Sequence, residues 1–109
     1  MKVVRYTKND GSQPFGEWLS NLRDMQARIA IRRRIDRFAM GNTGNSKALR
    51  GGLCELKIEM GPGYRIYFGN HGQTVVVLLC GGDKRSQDSD IVLAAQYWDD
   101  WKQRQKDTL

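Results

Sequence analysis

A chain of 109 residues with 39% apolar content, three Trp and four Tyr can bury one core, is too short for two, and is excluded from the disordered class. Its net charge of +6 favours acidic partners, nucleic acid first among them. No segment approaches the roughly 20 apolar residues of a membrane span, and the opening MKVVRYTKND has no signal-peptide core, so a single cytoplasmic domain over residues 1–109, without membrane contact, is expected.

Lys2 to Tyr6 (KVVRY) reads as a short strand that must join a later sheet, since it cannot stand alone. Asn9 to Gln13 is a turn-rich link, and Pro14 suits the first position of a helix. Phe15, Trp18, Leu19 and Leu22 follow at i, i+3, i+4 and i+7, which predicts a helix from Pro14 to about Leu22 with one apolar face. Asp24 is placed to cap a second helix, about Met25 to Met40. Ala27, Ile31, Ile35 and Phe38 form its apolar face, while Arg28, Arg32, Arg33, Arg34 and Arg37 fill the rest with Asp36 as the only acid. Two helices joined this closely predict a hairpin packed on the sheet. Gly41 to Gly51 (GNTGNSKALRG), rich in Gly and Asn, predicts a surface loop.

Gly52 to Arg85 predicts three consecutive strands joined by two tight turns. Leu56 and Ile58 alternate with Glu55, Lys57 and Glu59, the period of a half-buried strand. Gly61-Pro62-Gly63 makes a turn. Tyr64, Ile66 and Phe68 then alternate with Arg65 and Tyr67. After Asn70-His71-Gly72, the apolar run Val75 to Cys80 reads as a central strand covered on both faces. On this reading Lys57, Arg65 and Tyr67 share a sheet face, with the exit Gly81-Gly82-Asp83-Lys84-Arg85 at its rim. Cys54 and Cys80 sit among apolar neighbours and read as reduced core thiols. With no CxxC pair and one His, a Cys/His metal site is not expected.

Ser86-Gln87-Asp88 starts a last helix, with Asp88 and Asp90 favourable to its N-terminal dipole. Ile91, Ala94, Ala95, Trp98 and Trp101 or Lys102 follow at helical spacing, and the polar KQRQKDTL predicts a frayed end. The order β-α-α-β-β-β-α predicts an α+β fold: a small, mainly antiparallel sheet with the helical hairpin on one face and the other at least partly open.

The Gly63-Tyr64-Arg65 strand start, the apolar Val75–Cys80 strand and the Gly82-Asp83-Lys84 exit resemble the RelE/HigB superfamily of bacterial toxins. GPGYRIYF and LLCGGDKRSQDSDI are similar to its branch of addiction-module killer proteins, and the resemblance runs from Val3 to Trp98. It implies a RelE/ParE-like fold and the toxin of a type II toxin–antitoxin pair. The implied partners are a cognate antitoxin, a helix-turn-helix protein encoded beside it, together with mRNA and the ribosome. Operator DNA would be reached only through the antitoxin complex. Characterised RelE-type members cleave mRNA in the ribosome with basic residues on the sheet's open face, and no cofactor or metal is implied. By position, Arg65 matches the family's strand-start arginine, and Lys84 and Arg85 match its basic pair after the last strand. Lys57 is an approximate match to its second-strand lysines, because the EMGPG turn differs in length. Gln87, Asp88 and Asp90 stand where the family has a tyrosine near the start of the last helix.

Such a site works without metal because the RNA 2′-OH beside the scissile phosphate is itself the nucleophile. Cations aimed at the phosphorane stabilise charge that grows in the transition state, and the planar fork of Arg65 holds two phosphate oxygens at once. A lysine crowded by other cations exchanges its proton more readily, which makes Lys57 and Lys84 the candidates for proton transfer. Tyr67 is placed to stack on a base, and Arg32, Arg33 and Arg37 to hold RNA phosphates. The plainer readings are an Arg65 or Lys57 paired with Glu55 and Glu59, a Tyr67 under a loop and a solvated arginine face. Two other functions compete with mRNA cleavage. One is a ParE-like protein-binding toxin that inhibits DNA gyrase, since fold does not fix function. The other is a degenerate toxin that survives as its antitoxin's transcriptional partner.

Overall fold

The computed structural model describes residues 1–42, 44–72 and 74–107. Strand β1 (Lys2–Arg5) is followed by helices α1 (Pro14–Asn21) and α2 (Met25–Ala39), then by strands β2 (Ser46–Arg50), β3 (Leu53–Ile58), β4 (Tyr64–His71) and β5 (Val75–Gly82), and by helix α3 (Gln87–Asp107). The strands form one mixed sheet in the order β1-β5-β4-β3-β2. β1 runs parallel to β5, and the other neighbours are antiparallel. The fold is therefore α+β, with β1 and β2 at opposite edges.

Local chemistry sets these boundaries. Pro14 takes the first turn of α1, where its missing N–H is no loss. The Asp24 side chain accepts the Ala27 N–H at 3.1 Å and so caps α2. Gly61 and Gly63 turn β3 into β4 with φ of +55° and +80°, a region closed to most side chains.

Alternation along the strands divides the apolar residues between two cores. Leu56, Ile58, Ile66 and Phe68 face Phe15 and Leu19 of α1 and Ala27, Ile31 and Phe38 of α2. Leu53, Tyr67, Val77, Leu79 and Cys80 face Ala94 and Trp98 of α3. Two strand glycines seat the large rings: a Cβ at Gly81 would overlap Trp18 on the first face, and a Cβ at Gly69 would overlap Trp98 on the second. Cys54 and Cys80 are buried and free.

Three expectations change. Residues 46–50 are an edge strand rather than loop: Ser46, Lys47 and Ala48 pair with Leu56, Glu55 and Cys54, so ladder hydrogen bonds override a weak local β preference. The second sheet face is not open, because α3 lies across it. Finally, α3 continues to Asp107 where a frayed end was expected from Lys102 onward; Thr108 and Leu109 of that stretch lie outside the described residues. Its last turns are tied to the start of the chain: Tyr6 donates to Asp100 at 2.6 Å, and Arg104 donates to the Thr7 carbonyl at 2.6 Å while pairing with Asp100. Among the described residues no helix is long and apolar enough to cross a membrane.

Candidate cationic site at the end of the sheet

Lys57 stands opposite Arg65 across β3 and β4, and Glu55 opposite Tyr67; on β5, Gly82 stands opposite Arg65. Directly paired residues share a sheet face, so all five lie on the side that α3 covers. Gly82 leaves room there for the start of the helix, since a Cβ would collide with the Asp90 carboxylate and crowd the Ser86 hydroxyl. Ser86 donates to Asp90 at 2.5 Å, and Gln87 donates to Glu55 at 3.0 Å. The first turn of α3 is thus fastened to the sheet by polar side chains.

Arg65 is 6% exposed. Its Nη1 donates to the Gly63 carbonyl at 2.8 Å, and its Nε lies 3.9 Å from Glu55 Oε1. The guanidinium is held in place rather than free to swing. Arg65 Nε and the Tyr67 hydroxyl form no hydrogen bond of good geometry among the described residues. Burial, with the Glu55 and Asp90 carboxylates adding to it, pushes the Tyr67 phenol well above its ordinary value, so Tyr67 stays protonated. Asp90 is raised by burial and by Asp83, against the opposing Ser86 bond. Burial, with Asp90 beside it, pushes the Cys80 thiol up to about 12.

The exposed cations surround this buried pair. Lys57 lies 3.8 Å from Glu59. Lys84 is exposed, and its Cβ is 4.0 Å from where a Gly63 side chain would begin, with Arg65 Nη1 at 3.5 Å from the same point. Arg85 is 90% exposed and pairs loosely with Asp83 at 3.5 Å. Asp83 also organises the exit, accepting the Arg85 N–H at 2.9 Å and the Ser86 N–H at 3.3 Å.

The structure therefore brings Lys57, Arg65 and Lys84 together around the Gly63 turn, with Arg85 one residue beyond. It does not bring Tyr67 to the surface. That ring is 0% exposed beneath α3 and in this arrangement offers no face to a base, because its parity points into the second core. Arg32, Arg33 and Arg37 are exposed on α2, which packs on the other sheet face, and stand apart from the cluster. Glu55, Ser86 and Gln87 are the members that sequence reasoning did not assign to the site. Alternation gives Glu55 the same signature as a solvated residue, and only the strand-ending Gly82 hinted that something lands there. Chemically, the arrangement is a buried, fixed guanidinium with the exposed ammonium groups of Lys57 and Lys84 beside it, a local concentration of positive charge that favours an anionic ligand.

No family model matches the chain. A protein of Haemophilus influenzae (strain ATCC 51907 / DSM 11121 / KW20 / Rd), described only as an uncharacterized protein, is 47% identical to it over 77 residues, which is 71% of this chain and 78% of that protein.

Proposed function

The chain belongs to the family of that Haemophilus influenzae protein, and we propose that it is a RelE/HigB-like toxin of a type II toxin–antitoxin pair that stops translation by cleaving mRNA in the ribosome. The observation that carries this reading is the convergence of Lys57, Arg65 and Lys84 around the Gly63 turn. The GPGYR and GGDK phrases that resemble the toxin superfamily supply Arg65 and Lys84. In the reaction the 2′-oxygen of the RNA attacks the adjacent phosphorus and the bond to the 5′-oxygen breaks. The Arg65 guanidinium, fixed by Gly63, favours the charge that builds on the phosphoryl oxygens. In this reading Lys57 and Lys84 hold the phosphate, one of them taking the 2′-OH proton as a neutral amine and the other giving a proton to the leaving 5′-oxygen as an ammonium.

Because Lys57 and Lys84 are exposed, they test the site without disturbing the fold. Induced wild-type protein is expected to arrest growth, and the Lys57→Ala/Lys84→Ala variant to lose arrest while still being made and still binding its antitoxin. A second reading, a ParE-like inhibitor of gyrase, is favoured by one observation: Arg65 and Tyr67 are sequestered under α3. Undiminished arrest by the double variant would support that reading over cleavage.

A further inference from the structure

β2 and the far end of α3 carry a second set of cations outside the cluster at the Gly63 turn. Lys47 stands opposite Glu55 and Arg50 opposite Leu53, with an irregularity in register between Ala48 and Arg50. In a regular strand, residues three apart point to opposite faces. The extra residue at the irregularity cancels that alternation and turns Lys47 and Arg50 to the same side as Lys57. The Lys57 N–H bonds the Asn45 carbonyl, which sets Lys57 level with Asn45. Lys47 and Arg50 on the edge strand and Lys57 on its neighbour β3 therefore follow one another at steps of two strand positions, about 6.7 Å along the strands, with Lys57 set in by one strand spacing of about 4.8 Å.

This row ends at a cleft of about 290 Å³ between the β2–β3 turn and α3, lined by Arg50, Leu53, Ala95, Trp98, Asp99 and Lys102. Trp98 closes its floor, donating its indole N–H to the Gly51 carbonyl at 2.7 Å. Lys102 lies over the Trp98 ring, 5.3 Å from its centroid. Asp99 stands 3.7 Å from Lys102. Glu55, which stands opposite Lys47, is buried against Arg65 and Gln87. Among the described residues Lys47 and Arg50 have no carboxylate within ion-pair range.

We propose that the groove between β2 and α3 is a binding track for single-stranded RNA, with Lys47, Arg50 and Lys102 holding the backbone phosphates of the strand whose scissile phosphate sits at Lys57 and Lys84. The inference rests on the cleavage reading for the identity of the strand. The step between cations is comparable with the separation of successive phosphates in an extended strand. The contacts read charge rather than base identity. The track is continuous with the cluster at the Gly63 turn, which a docking surface for an unrelated polyanion has no need to be.

Binding of a fluorescein-labelled 12-nucleotide single-stranded RNA, followed by anisotropy across a salt series, tests this without reference to cleavage or growth arrest. Lys47→Glu/Arg50→Glu is expected to weaken binding about tenfold and to lower the salt slope by about 0.7 for each phosphate that the protein no longer neutralises. Lys47→Gln/Arg50→Gln, which places no new charge opposite Glu55, is expected to show a smaller loss in the same direction. Lys8→Glu/Arg23→Glu changes the net charge equally at exposed positions away from the track and is expected to bind as wild type does. The proposal is overturned if all three variants weaken binding alike, or if the Lys47/Arg50 variants bind RNA as wild type does, including the case where they lose only the antitoxin. Either result leaves the cleavage reading standing, since that is judged on mRNA in the cell.

Discussion

Arg65 and Glu55 face the same buried space, and their energetics differ from those of a surface pair. Two charges taken out of water are costly to bury, and the remaining one is costlier still when its partner is removed. Glu55 is 5% exposed and accepts from Gln87, and Arg65→Ala would take away the guanidinium paired with its buried carboxylate. It is expected to lose about 3–5 kcal/mol of stability, measured by urea unfolding. The Arg65→Met/Glu55→Leu double variant is expected to recover most of that loss. A single variant as stable as wild type would show that the pair does not hold the site together. A loss of growth arrest in Arg65→Ala alone would therefore mix chemistry with folding, and Lys57 and Lys84 are the cleaner probes of the proposed phosphate contact.

At the scale of elements, α3 decides what the sheet can present. It is seated by Trp98 over Gly69 and fastened at its start by Gln87 and at its end by Arg104. Gly69→Ala drives a methyl group into the Trp98 ring and is expected to cost about 1–3 kcal/mol, as overpacking does, and to loosen α3 first in hydrogen exchange. A uniform loss of protection across both cores would argue that α3 is not a separable layer. The elements were legible to different degrees for physical reasons. The 3.6-residue spacing of Phe15, Trp18 and Leu19, the Asp24 cap and the Leu56/Ile58 alternation each state a local rule that tertiary structure obeys, so α1, α2 and β3 to β5 were readable. β2 was not, because Ser46 to Arg50 acquires its conformation from pairing with β3 rather than from its own side chains. The apolar stripe of α3 was readable, but not the sheet face it covers. For that reason Arg65, Lys57 and Tyr67 were correctly placed on one face while the burial of Tyr67 and Arg65 went unseen.

For the whole molecule, protons report on the integrity of both cores. Burial and the neighbouring Asp100 push Tyr6 up to about 12, burial with Asp90 beside it pushes Cys80 up to about 12, and burial raises Cys54 as well. The folded protein keeps protons that the unfolded chain releases from about pH 9 for the thiols and pH 10 for the phenol, so this stabilisation is complete below pH 9 and is lost as pH rises towards 12. Urea midpoints are expected to fall across that window, and less steeply in Cys80→Ala. A flat profile would mean that these groups are solvated in the folded state.

The layered sheet, the polar fastening of α3 and the cations around Gly63 meet in one claim, that this surface cuts translated RNA. Primer extension on an abundant mRNA after brief induction tests it most directly, with a parallel message that lacks its start codon. The account predicts new 5′ ends inside the reading frame of the translated message, none in the untranslated one, and none with Lys57→Ala/Lys84→Ala. Growth arrest with the mRNA intact would contradict it and point to a protein target instead.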